Sequence, residues 1–325
     1  MKSPIRAGVV GVGHMGQYHL GVFSDLFEVE LGGIADIDRN KCRRLARKYQ
    51  TKGYTDYRRL SDLLDVVSIA VPTELHYKIA RGFLEAGVHV LVEKPMTDNL
   101  EQAKDLFKLA ESNGLVLHVG HVERFNGAVQ ELRKIVKDPL MLESRRMGPF
   151  TNRNVKDGVI LDLMIHDLDI ILNLVKSRVR DLFAVGALVF SDREDLANVQ
   201  LVFENGCLAN LTASRSTQHK VRTLAITQKD SYIFLDYTDQ DIQIHRGATS
   251  QHTLTRQELK YKQESTIERI FVHKDNPLKL EIKNFLDCVM NGSTKPVSTK
   301  DELYSMQVAL EIIDKMNKVN CTPSP

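Results

Sequence analysis

The chain has 325 residues, long enough for two domains of ordinary size, each with its own core. Hydrophobic residues make up 42% and charged residues 26%, and the formal net charge of +2 gives no reason to expect a nucleic-acid or membrane-surface partner. The start "MKSPIRAGVVGVG" shows no apolar stretch running into a cleavage site. The most apolar run, 159–175, carries Asp162, His166, Asp167 and Asp169, which argues against a membrane span. The cysteines at 42, 207, 288 and 321 are scattered without metal-ligand spacing, as expected of reduced packing thiols in a cytoplasmic protein, and no metal site is expected.

Up to about residue 121, short apolar strands alternate with amphipathic helices. The strands are "IRAGVVGVG", "EVELGGIAD", "DVVSIAVP", "HVLVEKP" and "LVLHVGHVE", with a short extended piece near Gly53 to Tyr57. The helices between them are "HMGQYHLGVFSDL", "DRNKCRRLARKYQ", "TELHYKIARGFLEAG" and "DNLEQAKDLFKLAESNG". This alternation predicts a parallel sheet with helices on both faces, a doubly wound α/β domain over 1–121. Beyond it, over 122–325, the pattern becomes α+β. Helical segments at 126–137 and 159–175 flank the extended "LMLESRRMG", and Asn205-Gly206 marks a hairpin. More antiparallel strands follow, then two closing helices and a frayed "NCTPSP" tail.

The turn after the first strand reads Gly11-Val12-Gly13-His14-Met15-Gly16, a G-x-G-x-x-G that follows a strand and opens a helix. In that context the first glycine allows the tight turn, the second lets backbone approach a pyrophosphate, and the third lets the helix pack on the sheet. The helix N-terminus offers free N–H groups to the phosphates. Asp36, 20 positions after Gly16, ends the second strand where a carboxylate takes ribose hydroxyls. An Asp there repels a 2′-phosphate, so NAD is expected rather than NADP, with Arg39 three residues on as the counter-signal.

Two further clusters point to chemistry. Lys94 stands at the carboxyl end of a later strand, where parallel sheets bind their ligands, and Pro95 restricts the chain beside it. An amine there suits proton exchange or hydrogen bonding with a substrate hydroxyl; a surface turn lysine is the plain alternative. On one helix, Asp162, His166, Asp169 and Asn173 form a polar stripe among Val, Ile, Leu and Met. Asp162 and His166 lie one turn apart, so the carboxylate can orient the imidazole, although an amphipathic helix shows water such a stripe too. His76 begins a helix after an apolar strand, lining the cofactor mouth or plain surface.

Taken together, these residues resemble the glucose–fructose oxidoreductase/inositol dehydrogenase/rhizopine catabolism (Gfo/Idh/MocA) family over essentially the whole chain. The resemblance rests on "GVVGVGHMGQYH", Asp36, "AVPTELH", "EKP", "ERFN" and "GVILDLMIHDLD". It implies a Rossmann domain, then a domain with an open-faced, mainly antiparallel sheet on which a homodimer or homotetramer is built. It implies cofactor contacts at Gly11, Gly13, His14, Met15 and Gly16, at Asp36, and at Pro72, His76, Glu93 and Lys94. Substrate contacts are implied at Lys94, Arg124, Asn126, Arg153, Asp162 and His166, with Lys94, His166 and Asp162 catalytic and the His or the Lys acting as acid/base.

The family pattern often has Pro where this chain has Gly127, and a glycine run where it has Lys156-Asp157. "GHVERFN" with "RNVKDGVILDLMIHDLD" most resembles the branch oxidising position 3 of UDP-N-acetylglucosamine. Arg145, Arg146, Arg153 and Lys156 then either meet a diphosphate or form a solvated basic edge. The expected activity is NAD-dependent oxidation of a secondary hydroxyl of a sugar or sugar nucleotide. The alternatives are a glycosidase or lyase using transient oxidation by NAD, and a non-catalytic NAD-responsive binding protein.

Overall fold

A computed structural model describes residues 3–151, 157–254 and 259–319, with 247–254, 259–265 and 319 described by their backbone alone. The chain forms two compact units: Met1–Phe125 with Asn276–Gln307, and Asn126–Asp275 with Val308–Pro325.

The first unit opens with β1 (Ile5–Val10), α1 (His14–Ser24), β2 (Val29–Ala35), α2 (Arg39–Lys48) and β3 (Gly53–Tyr54). It continues with β4 (Val66–Ile69), α3 (Thr73–Glu85), β5 (His89–Glu93), α4 (Leu100–Ser112) and β6 (Leu117–Gly120). The six strands are parallel in the order β3-β2-β1-β4-β5-β6. The order reverses between β1 and β4, which makes the carboxyl ends of those strands the ligand-binding edge. Every residue of β4 is buried, as are Val90, Leu91 and Val92 of β5, because helices cover both faces. Side-chain caps set the helix starts: Asp38 accepts from Lys41 N at α2, and Asn99 accepts from Glu101 N and Gln102 N at α4.

In the second unit, α5 (Gly127–Ile135) and β7 (Met141–Met147) come first. A π-helical turn, Ile160–Met164, then runs into α6 (Ile165–Val175). There follow β8 (Val179–Ala187), β9 (Leu196–Phe203), β10 (Leu208–Ser214), β11 (Val221–Thr227), β12 (Ser231–Asp236), β13 (Asp241–Leu254) and β14 (Leu259–Ile270). These strands and β7 form an eight-stranded sheet, β14-β13-β12-β11-β7-β10-β9-β8, antiparallel throughout except for the β7–β10 pair. Residues alternate along β9: Ala197, Val199, Leu201 and Phe203 are buried, whereas Leu196, Asn198 and Gln200 are exposed. One face of the sheet therefore packs on the unit's core and the other is open.

Two helices close the chain, α7 (Pro277–Asn291) and α8 (Thr299–Val319). A single cut at 121 does not describe the grouping, because α7 returns to the first unit. Its Leu278, Ile282, Phe285 and Leu286 join a core cluster with Leu20 and Phe23 of α1 and Ile34 of β2. Burying such side chains contributes about 1.5–3 kcal/mol each, which ties the helix to that unit despite the sequence distance. Cys42, Cys207 and Cys288 are buried thiols, as packing cysteines should be. Among the described residues no helix is long and apolar enough to cross a membrane, and no cluster of side chains is arranged to hold a metal ion.

Candidate active site

The glycine turn in the first unit has the shape its sequence implies. Gly11 has φ +84°, and a Cβ there would lie 2.5 Å from Ala70 O, so the turn nests against the end of β4. A Cβ on Gly16 would collide with Gly11 O, so α1 packs directly on the turn. Over Gly13, by contrast, a Cβ would meet nothing within 4 Å. Gly13 is the N-cap of α1, makes no side-chain capping bond, and is followed by no acidic residue in the first turn. The first amides of the helix thus face open space with a favourable dipole, which fits a pyrophosphate. Asp36 lies beside them: its Oδ2 accepts from Val12 N at 2.8 Å and its Oδ1 from Asp38 N at 2.8 Å. The turn and the carboxylate that would hold a ribose are one hydrogen-bonded piece, and the residues fit a bound dinucleotide.

The end of β5 is built with comparable care. Glu93 and Lys94 are half-buried, and the Lys94–Pro95 peptide is cis. Glu93 Oε1 faces His19 Nε2 at 2.8 Å, and His19 Nδ1 faces Ser68 Oγ at 2.8 Å. This chain is satisfied with a neutral ring, because the serine hydroxyl donates to Nδ1 while Nε2–H donates to Glu93. Burial opposes ionisation of Glu93, yet the His19 bond, with Lys94 and His76 nearby, holds its carboxyl below the usual range. Lys94 N points to Glu93 Oε2 at 3.3 Å. His76 is neither surface nor mouth lining: it is 1% exposed, with Nδ1 2.9 Å from Pro95 O and Nε2 2.8 Å from Val71 O. His14 and Pro72 are exposed near the turn and the start of α3.

Arg124 and Asn126 have work inside the protein. The Arg124 guanidinium forms a buried two-pronged ion pair with Glu302 of α8, its Nη2 lying 3.0 Å from Oε2. Asn126 caps α5 through Ala128 N and donates to Tyr237 O at 3.1 Å. Arg153 and Lys156 lie outside the described residues.

In the second unit, Asp162 sits in the π-helical turn and His166 in the first turn of α6. Both are half-buried, whereas Ile160, Leu161, Met164, Ile165, Asp167 and Leu168 around them are buried. π-Turns are frequent at functional sites, and helical periodicity does not reveal them. Asp169, expected on a polar stripe, is 1% exposed and is not part of a solvated face. Arg146 is not on a basic edge. It is buried, and its Nε and Nη2 donate to Asp167 at 2.8 and 2.9 Å. That pair anchors α6, one residue from His166, to β7. Arg145 projects from the opposite, open face of β7.

The start of the same helical run is tied down as well. Val159 N donates to Glu194 O at 2.9 Å and Ile160 N to Glu194 Oε1 at 3.3 Å. Arg215 donates to Asp157 O at 3.0 Å and to Asp195. Asp195 resists the upward pull of burial because the amides of Phe190 and Val189, together with Arg215, hold its carboxyl low. Sequence inspection did not single out Glu194, Asp195 or Arg215, since their partners are backbone groups far along the chain.

A doubly wound sheet with a glycine turn open to a pyrophosphate, a carboxylate hydrogen-bonded to that turn and an amine at a strand end fits a dinucleotide-binding oxidoreductase. Residues 5–121 match the model of the oxidoreductase family with an NAD-binding Rossmann fold, and residues 124–233 match the GFO/IDH/MocA C-terminal domain. The chain belongs to the GFO/IDH/MocA oxidoreductase family and binds NAD in its Rossmann domain. It is 36% identical over 246 residues to a UDP-N-acetylglucosamine 3-dehydrogenase of Acidithiobacillus ferrooxidans, covering 75% of this chain and 78% of that protein. A solved structure of a UDP-N-acetylglucosamine 3-dehydrogenase from that organism aligns with TM-score 0.87 and 30% identity over 97% of this chain and 98% of that one. A scyllo-inositol 2-dehydrogenase (NAD(+)) of Bacillus subtilis is 24% identical over 331 residues, 95% of this chain and 93% of that protein.

Proposed function

We propose that the protein oxidises a secondary hydroxyl of a sugar or sugar nucleotide, with position 3 of UDP-N-acetylglucosamine as the foremost substrate. The observation that carries this reading is the near full-length likeness to a UDP-N-acetylglucosamine 3-dehydrogenase, joined to the presence of Lys94, Asp162 and His166 in this chain. NAD, when bound, supplies the hydride acceptor. Gly13 and the first amides of α1 hold the phosphates, and Asp36 takes the ribose hydroxyls. As the carbinol C–H bond is lost as hydride, the hydroxyl proton passes to Lys94 Nζ or to the His166 imidazole, which Asp162 orients. Arg146 and Glu194 act through others: one fixes α6 to β7 and the other holds the helical run at its start.

The test is NADH appearance with purified protein and NAD over free sugars, inositols and UDP-sugars. UDP-N-acetylglucosamine is run with and without a glutamate-dependent aminotransferase that drains a 3-keto product. Net NADH with the UDP-sugar is expected, and Lys94→Ala and His166→Ala should each lower turnover by about 10²–10⁴-fold while NADH affinity stays within a few-fold. NADH from an inositol or a free sugar instead would reassign the substrate. No NADH from any candidate, with NAD bound, would move the reading to a closed redox cycle or a sensor.

A further inference from the structure

His76 holds an uncommon position for a buried histidine. Its Nδ1 lies 2.9 Å from Pro95 O and its Nε2 2.8 Å from Val71 O, so each ring nitrogen faces a backbone carbonyl. A carbonyl oxygen only accepts, whereas a neutral imidazole has one donor and one acceptor nitrogen. In either neutral tautomer one ring lone pair would therefore face a carbonyl lone pair in a site that is 1% exposed. Only the doubly protonated ring donates to both. His19, also buried, differs here, because Ser68 can donate to it and the neutral ring suffices.

We infer that His76 is a cationic positioning residue: its imidazolium donates to Val71 O and Pro95 O at once and so fixes the corner that carries Lys94. Val71 follows β4, and its Cγ1 lies 2.7 Å from where a Cβ on Gly11 would stand, so its carbonyl belongs to the strand end against which the glycine turn packs. Pro95 follows Lys94 directly. One ring thus joins the β4 end, beside the phosphate turn, to the β5 corner, with the amine next to the tie. The nearby charges can sustain the cation. Burial and Lys94 oppose a charge on the ring, and Glu93 at the head of the corner, its carboxyl held below the usual range despite burial by the His19 bond and Lys94, is the anion that offsets them. Glu74 and Lys78 on the same helix are exposed. The inference about charge and hydrogen bonding stands on this geometry alone; its catalytic consequence rests on the proposed role of Lys94.

Two readouts separate those parts. Side-chain NMR of the full-length protein labelled with 15N-histidine, with the His76 signals assigned by their loss in His76→Gln, reports protonation of each ring nitrogen. The expected result is two protonated nitrogens from pH 6 to pH 8, above the ordinary histidine range of roughly 6.5. A single protonated nitrogen at pH 7 would overturn the inference. The second readout is kinetic, on the substrate that yields NADH. His76→Gln and His76→Asn each keep one amide donor, so turnover should fall at least about tenfold with NADH affinity within about twofold. His76→Lys, charged but unable to span both carbonyls, should not rescue. Unchanged turnover in His76→Gln alongside a dead Lys94→Ala would overturn the positioning role, as would a fall in melting temperature with no kinetic change. Unchanged turnover in Lys94→Ala would instead remove the role of Lys94 and leave the NMR result standing.

Discussion

The Asp36 carboxylate accepts a hydrogen bond from the Val12 amide at 2.8 Å, so the glycine turn and the carboxylate proposed to take the ribose are oriented by each other. Removing the side chain should therefore cost twice, through the lost ribose contacts and through a loosened turn. Asp36→Ala is expected to weaken NADH binding by roughly tenfold to a hundredfold, since hydrogen bonds to a charged group contribute about 1.5–3 kcal/mol. NADPH should lose less, or gain, because repulsion of the 2′-phosphate goes with the carboxylate. Fluorescence titrations with the two reduced cofactors check both halves. Equal losses for NADH and NADPH would mean that Asp36 shapes the turn without discriminating.

Arg146 and Asp167 are both fully buried, and their two hydrogen bonds hold α6 to β7 one residue from His166. Arg146→Met leaves a carboxylate buried without its partner, which should destabilise the fold by about 3–5 kcal/mol. Pairing it with Asp167→Leu removes the orphaned charge, and the double variant should be more stable than Arg146→Met alone. Urea unfolding of the four combinations measures the coupling. If the single variant loses less than about 1 kcal/mol, solvent reaches the pair and it is not the anchor of this helix.

Glu281 of α7 is wholly buried, and burial, reinforced by the nearby Glu93, raises its carboxyl well above the usual range, with Arg124 opposing. The folded chain thus keeps a proton that the unfolded chain loses above an ordinary glutamate pKa of about 4.3. A raised folded-state pKa stabilises fully below the unfolded value, and that contribution is lost as pH rises toward the folded value. Glu281→Gln, neutral at every pH, should match the wild type near pH 4 and be more stable at pH 8. The gap should widen by up to about 1.4 kcal/mol per pH unit in between. His118 works in the other direction: burial pushes its pKa down to about 3, so its contribution is present above the ordinary histidine value and fades as pH falls toward 3. Unfolding curves of both proteins from pH 5 to pH 8 are the check. A Glu281→Gln variant less stable than the wild type at pH 8 would show that the carboxyl is ionised and paired.

The places of the glycine turn, Asp36 and Lys94 at strand ends were legible because each is a local event, a residue type at a fixed offset from the end of an apolar strand. The doubly wound sheet was legible for the same reason, since buried parallel strands read as apolar runs between helices. Arg146 was not, because nothing local distinguishes an arginine on the packed face of β7 from its solvent-facing neighbour Arg145. Only the pairing with Asp167 on another element shows it. His76 was hidden in a different way: its partners are backbone carbonyls, which carry no residue identity. That a helix closes the chain where α7 lies was legible, but not that it would cross back to pack on α1 and β2. The π-turn at Asp162 lies beyond any argument from a 3.6-residue repeat.

The open face of the eight-stranded sheet carries Phe183 at 62% exposure and Val185 at 51%, with Leu196, Leu208 and Tyr232 also exposed. Between them, a hollow of about 450 Å³ is lined by Phe183, Val185, Arg145, Gln200 and Asn210 among others. Arg145 and Glu143 project side by side there, offering charges of both signs, as a self-complementary two-fold contact requires. A second copy of the chain is the occupant we expect, because a broad sheet face can reach the roughly 1,200–2,000 Å² of total burial that a stable pairing needs. Light scattering at micromolar concentration should give a dimer or a larger even assembly. Phe183→Arg with Val185→Glu should shift it toward monomer, since the changes bury charge at the contact without touching the packed face of the sheet. A wild-type monomer at that concentration would dismiss the interface. An assembly that ignores both substitutions would place it on another surface.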